Sequence, residues 1–219
     1  MSKHQDKFIT SFKPRNPTQK AFESSYLNYD IHFLLGPAGC GKGHAAIALA
    51  LRELSTDKSK KTLYIIRPPV EASSRSLGFL PGDLSEKLLP FSLPVFSLLP
   101  KIAFNIPPGL LQTYSLAHSR GITFEDCIVL IDECQNLTTK EFILLISRLG
   151  PNARLLFCGD PDQSDIRATP GHSFITDLDY VVDCLFTKPG INIVEFSPSE
   201  IVRHPRLHLW LSALQQPSP

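Results

Sequence analysis

The stretch GPAGCGKG occupies residues 36–43, immediately after the apolar run IHFLL at 31–35. Glycines at 36, 39 and 41 allow a tight curl in which successive backbone N–H groups face one anion. A helix following the loop adds its positive N-terminal end. Lys42 brings a cation to the β and γ phosphates of a nucleotide. Strand, loop and helix in that order are the setting a phosphate-binding loop requires. Seven of the eight positions fit that pattern; Gly43 stands where a Ser or Thr hydroxyl would ligate Mg2+.

Working outward, four further apolar runs read as strands: TLYII (62–66), CIVLI (127–131), ARLLFC (153–158) and NIVEF (192–196). Each is almost wholly apolar, as strands covered on both faces must be. HAAIALALREL (44–54) is rich in strong helix formers. TTKEFILLISRLG (138–150) opens on a Thr N-cap, repeats apolar residues at helical spacing and is expected to end at Gly150. Strands alternating with helices predict an α/β fold with a mainly parallel sheet covered on both faces. GLLQTYSLAH (109–118) is a candidate for one more short strand.

Residues 68–109 break the rhythm with eight prolines and are too long for a simple connection, so a functional excursion or small subdomain is expected there. The expected organisation is a flexible N-terminus over 1–10, one domain over 11–212 and a flexible tail over 213–219. With 219 residues the chain has room for one sizeable α/β domain and not for two.

A net charge of +1 excludes a global basic field, though a local basic groove remains compatible with it. The five cysteines form no CxxC pair, which argues against a zinc site and for a reduced, cytoplasmic chain. No apolar span approaches the length a membrane helix needs, and no secretory h-region opens the chain, so no membrane partner is expected.

Two further stretches carry chemistry. LIDEC (130–134) is a buried run delivering two carboxylates to the C-terminal edge of a parallel sheet, where ligands gather. Asp132 is placed to hold Mg2+, directly or through its waters. Glu133 is read as the group that orients the attacking water, a role suited to a carboxylate with nothing else to bind. CGDPDQSD (158–165) ends another strand in a polar turn, and Gln163 there can read both a phosphate oxygen and a water. A glutamate after the Mg2+ aspartate serves water attack, which disfavours a small-molecule kinase.

FKPRNPTQ (12–19), GPAGCGK (36–42), RPPV (67–70), LGFLPGDLSEKLLP (77–90), RGITF (120–124), IDECQNLT (131–138), SRLG (147–150), GDPDQSD (159–165) and EIVRHP (200–205) occur in that order. Together they resemble the PhoH family of ATPases, in the short single-domain form common in bacteria and phages. The resemblance runs from about Phe12 to about Leu211, and the LGFLPGDL and DECQN signatures are its most specific parts.

It implies a RecA-like core related to superfamily-1 helicases, hydrolysing ATP with Mg2+ and coupled to RNA or single-stranded nucleic acid. By the same resemblance Gln19 reads adenine, and Gly36, Pro37, Ala38, Gly39, Cys40, Gly41, Lys42, Gly43 and His44 form the nucleotide cradle. Arg203 is the arginine near the γ phosphate, Arg148 a second candidate, and Arg67, Lys87 and Arg120 lie toward nucleic acid.

The chain departs from the family at Gly43, at Ile122 in place of an Arg and at Glu200 in place of an Asp. The cradle is made of backbone and Lys42, so ATP binding is expected to survive Gly43, with hydrolysis slowed. A non-hydrolysing ATP-binding switch or assembly module is the alternative. One RecA-like lobe cannot unwind a duplex alone, so a homo-oligomer is favoured, a ring such as a hexamer, in which a neighbour supplies an arginine.

Overall fold

The computed structural model describes residues 9–68, 97–119, 121–164, 176–204, 206–207, 209–210 and 213. Residues 1–8 of the N-terminus expected to be flexible over 1–10, residues 214–219 of the tail expected over 213–219, most of the proline-rich excursion, Lys87 and Arg120 lie outside the described residues.

In chain order the elements are β1 (Ile9–Thr10), α1 (Pro17–Ser25), β2 (Ile31–Leu35), α2 (Lys42–Thr56), β3 (Thr62–Ile66), α3 (Leu99–Ile102), β4 (Ala103–Phe104), β5 (Leu111–Thr113), β6 (Cys127–Asp132), α4 (Thr139–Ile146), β7 (Arg154–Gly159), α5 (Asp177–Leu185) and β8 (Ile191–Glu195). Six strands form one sheet in the order β5-β3-β6-β7-β2-β8. Every pairing in it is parallel. The five apolar runs and the GLLQTYSLAH stretch supply these strands.

Alternation along each strand splits the core in two. Leu34, Ile128, Leu130 and Leu156 face one way and pack with Phe22 of α1 and with Ala46, Leu49 and Ala50 of α2. Phe33, Val129, Ile131 and Phe157 face the other way and meet Phe142 and Leu145 of α4 and Leu178 of α5. Phe33 and Phe157 stack with ring centroids 4.7 Å apart. Full burial of side chains this size contributes about 1.5–3 kcal/mol each, which is why both faces of the central strands are apolar.

Local chemistry sets the helix starts. Asn16 caps α1, its side chain accepting from the Gln19 N–H, with Pro17 at the first helical position. Thr138 and Glu141 form a capping box on α4. Helix α2 differs: its N-cap is Gly41 at φ 87° with no side-chain cap, so the first turn presents bare N–H groups.

Two expectations are corrected. Helix α4 ends at Ile146, not at Gly150. Leu149 instead bridges to Phe124, and a side chain at Gly150 would come within 2.5 Å of Thr123, so this glycine serves close chain approach. Residues 9 and 10, placed in the flexible N-terminus, form β1 against β4, and the Ser11 N–H continues the contact to the Ile102 carbonyl at 2.7 Å.

At the N-terminal edge of the sheet, away from the phosphate loop, Arg154 is buried against Glu53, with contacts of 3.1 and 3.3 Å. It also donates to the Tyr26 carbonyl at 3.0 Å and lies 4.8 Å from the Tyr26 ring centre. Lys60 adds a second cation 3.6 Å from Glu53. The group anchors α2 to β7.

Candidate nucleotide site

The loop after β2 curls through Gly36, Gly39 and Gly41 at φ 140°, 90° and 87°, conformations that side chains rarely adopt. At Gly36 a Cβ would also lie 2.4 Å from the Phe196 carbonyl oxygen. Lys42 opens α2 and turns back over the loop, its Nζ donating to the carbonyls of Gly36 and of Pro37, the latter at 2.9 Å. The Cys40 sulfur lies 3.8 Å from the same ammonium.

Strand β7 stands between β2 and β6, so the LIDEC strand is one place removed from the loop strand rather than beside it. The β7 tip therefore reaches the loop first. Asp160 accepts a hydrogen bond from the Ala38 N–H at 3.1 Å, placing an internal carboxylate on a loop amide. Burial pushes its carboxyl above the usual range, against the pull of Lys42. Sequence reasoning does not single out Asp160, although it stands in the GDPDQ stretch.

A cavity of about 470 Å3 opens over the loop and is lined by Gly39, Gly41, Lys42, Gly43, His44, Asp132, Glu133, Gln19 and Arg203. Arg15 and Lys101, which sequence reasoning does not single out either, line it as well. Four cations thus line it (Arg15, Lys42, Lys101 and Arg203) against two carboxylates, Asp132 and Glu133. That balance suits a polyanion. His44 has its imidazole pKa lowered by burial and then by Arg15 and Lys101, which favours its neutral form. Burial and the adjacent Glu133 charge raise the Asp132 carboxyl, against the pull of Arg67 and Lys42. A Cβ at Gly43 would meet nothing within 4 Å.

Gln19 is buried, and its amide is engaged with the protein: Nε2 donates to the Cys40 carbonyl at 2.9 Å and Oε1 accepts from the Arg15 N–H at 2.8 Å. In this arrangement it braces the loop. Asn16 does the same across a longer gap, donating to the carbonyls of Cys40 at 3.2 Å and Glu200 at 3.0 Å. Within EIVRHP, the Val202 N–H reaches the loop, donating to the Gly39 carbonyl at 2.9 Å. This contact brings exposed Arg203 to the cavity rim.

Glu133 departs from the expectation of a carboxylate with nothing else to bind. It adopts a left-handed backbone at φ 58°. Arg67 holds its Oε1 at 2.9 Å and Gln135 donates to its Oε2 at 2.8 Å. Gln163 does not line the cavity over the loop. It donates to Asp160 at 2.7 Å and lines a neighbouring cavity of about 460 Å3 with Arg67, Glu133, Gln135, Asn136, Asp162 and Ser164. Glu133 therefore borders both spaces. Arg148 lines neither; its carbonyl accepts from Phe124 at 2.8 Å beyond the end of α4.

A sequence profile of the PhoH family, described as PhoH-like protein, matches residues 11–215. The chain belongs to the PhoH family. A PhoH-like protein of Mycobacterium tuberculosis is 34% identical over 203 residues, covering 89% of this chain and 55% of that protein. One from Bacillus subtilis is 31% identical over 201 residues, covering 89% of this chain and 61% of that protein. The chain thus spans little more than half the length of these PhoH relatives. Among solved structures, the large terminase of the thermophilic bacteriophage D6E matches with a TM-score of 0.59 at 12% identity, over 94% of this chain and 51% of that one. The same terminase has been solved with ADP, at a TM-score of 0.59, and with ATP-gamma-S, at 0.58. The likeness supports a RecA-like α/β fold for this PhoH chain. Among the described residues no helix is long and apolar enough to cross a membrane.

Proposed function

We propose that this chain binds ATP in the cavity over the phosphate loop and hydrolyses it slowly. The observation that carries the reading is the cavity's composition: loop backbone, Lys42 and three further cations together with Asp132 and Glu133. The Ala38 amide already accommodates a carboxylate oxygen from Asp160, so the loop has the polarity an anion needs. The ADP and ATP-gamma-S complexes of the similarly folded terminase support nucleotide as the ligand.

The residues present suit a magnesium ion held mainly by phosphates and water. Among the described residues no cluster of three metal-ligating side chains occurs, and Mg2+ of this type takes only one or two carboxylates. Asp132 would hold it, and when bound it would supply neutralisation of phosphate charge. Lys42 would leave the Gly36 and Pro37 carbonyls for phosphate oxygens. Glu133 would orient a water whose oxygen attacks the γ phosphorus as the bond to the β-phosphate oxygen breaks, giving ADP and phosphate. Arg203 is a candidate to neutralise the charge that develops.

A second reading, a non-hydrolysing switch, is favoured by two observations: Gly43 brings no hydroxyl, and both Glu133 oxygens are already bonded. Coupling to RNA or single-stranded nucleic acid, and a ring-forming homo-oligomer, are carried from the family resemblance. Phosphate release by the chain and by its Gly43→Thr and Glu133→Gln variants, each with and without single-stranded RNA, separates the readings. Turnover that rises in Gly43→Thr and vanishes in Glu133→Gln supports the ATPase; silence in all of them leaves the switch.

A further inference from the structure

Glu133 is the meeting point of the two cavities, and its contacts are not those of a resting water activator. Arg67 follows the tip of β3 and Glu133 follows the tip of β6, its immediate neighbour in the sheet. The guanidinium holds one carboxylate oxygen at 2.9 Å and the Gln135 amide holds the other at 2.8 Å. The backbone beneath is in the left-handed region at φ 58°, a conformation that a non-glycine residue keeps only where its surroundings enforce it. Gln135 is itself buried, and its Oε1 accepts from the Asp160 N–H at 3.1 Å. Since Asp160 touches Ala38 of the phosphate loop, one chain of hydrogen bonds runs from Arg67 through Glu133, Gln135 and Asp160 to the nucleotide cradle.

Arg67 lines only the second cavity, while Glu133 lines both. The second cavity's other lining groups are the amides of Gln135, Asn136 and Gln163, the Ser164 hydroxyl and the Asp162 carboxylate. Gln135, Gln163 and Ser164 are engaged with the protein, so the Arg67 guanidinium is the lining group that a phosphodiester oxygen would seek. The ion pair is half-exposed, with side-chain exposures of 22% for Arg67 and 36% for Glu133, so its net strength is modest and a competing anion can exchange into it.

We propose that Arg67 is a positioning residue that latches Glu133, and that the phosphodiester backbone of a single-stranded nucleic acid, entering the second cavity, takes over the guanidinium and frees the carboxylate for catalysis. This deepens the ATPase reading and rests on it for its catalytic consequence. Its binding consequence does not: Glu133 and the nucleic-acid phosphate compete for one guanidinium, so removing either partner must change affinity for the other.

Two measurements test it. In the first, fluorescence anisotropy follows a labelled oligouridylate binding to the chain and to Glu133→Gln, Arg67→Gln and the double variant, without nucleotide. The latch predicts affinity several-fold tighter for Glu133→Gln, weaker for Arg67→Gln, and no gain from Glu133→Gln once Arg67 is gone. Asp162→Asn, which removes another carboxylate from the same cavity, controls for net charge. Inorganic phosphate in place of the oligonucleotide separates a polymer site from a simple anion site. A gain in Glu133→Gln that persists without Arg67, equals that of Asp162→Asn, or is absent overturns the proposal.

In the second, kcat and KM for ATP are measured with and without the oligonucleotide. Arg67→Gln is expected to raise basal kcat about fivefold to tenfold, to leave KM unchanged and to abolish stimulation, with Arg67→Lys in between. A lower basal kcat with stimulation intact means a merely structural arginine. If no variant turns over ATP, the hydrolytic reading fails while the anisotropy result still decides the latch.

Discussion

The Asp160 carboxylate lies 3.1 Å from the backbone nitrogen of Ala38, so an acid from the β7 tip occupies an amide of the phosphate loop. A phosphate arriving at that loop must either displace this oxygen or tolerate its charge. Asp160→Asn removes the charge while keeping an oxygen for the Asp162 N–H, which the native side chain accepts at 3.2 Å. Nucleotide affinity is expected to tighten about threefold to tenfold in the variant, the reverse of the loss usual for an acidic site residue. Titration with a fluorescent ATP analogue checks it, and a weakened affinity would assign Asp160 to the binding machinery instead.

Gly43 gives the second prediction. The position is helical and a Cβ there meets open space, so Ser or Thr is expected to fit. Replacing a helical glycine also favours the helix by up to about 1 kcal/mol. Gly43→Ser and Gly43→Thr should raise the rate of phosphate release and leave the thermal midpoint equal or higher. A folded variant with an unchanged rate would mean that the missing hydroxyl is not what limits turnover.

The Arg154–Glu53 pair gives the third. Both side chains are below 10% exposed, so removing the acid strands buried positive charge on Arg154 and Lys60. Glu53→Ala should cost about 3–5 kcal/mol in urea unfolding. Arg52→Ala on the same helix, whose partner Glu23 is a surface contact, should cost about 0–1 kcal/mol. Equal losses would contradict the assignment of the buried network as the structural one.

His32 makes stability depend on pH. Its Nε2–H donates to the Tyr26 carbonyl at 3.0 Å and its Nδ1 accepts from the Asn192 amide at 3.1 Å, which requires the neutral ring. Burial, reinforced by Arg154, lowers its pKa to about 4. Between pH 6.5 and pH 4 the unfolded chain binds the proton that the folded chain refuses. The contribution is therefore complete above pH 6.5 and declines as pH falls through that window, by about 3 kcal/mol in all. Urea unfolding at stepped pH should show a shallower decline for His32→Asn than for the parent chain; parallel curves would contradict it.

The fold is legible because its central strands are buried on both faces, so five apolar runs stand out without any alternation to decode. The phosphate loop is legible because Gly36, Gly41 and Lys42 are fixed by backbone geometry and charge in a short span. What escapes is whatever depends on strand order. Nothing in GDPDQ tells that β7 lies beside β2, and only that adjacency brings Asp160 to Ala38, while Gln163 bonds that same carboxylate and lines the second cavity. The sequence points to Arg67 but not to its partner 66 positions away, because an ion pair across two strand tips has no local signature. Gln19 is read for its family role, while its bonds to Cys40 and Arg15 come from where α1 packs.

The central claim is that loop amides and the Lys42 ammonium grip the phosphates of ATP. Isothermal titration calorimetry with ATP and Mg2+, run on the chain and on Lys42→Ala, tests it directly. A saturable heat at one site per chain, weakened at least about tenfold when the ammonium is removed, is the expected result. No heat with the parent chain, or the same affinity in a folded Lys42→Ala variant, would contradict the account.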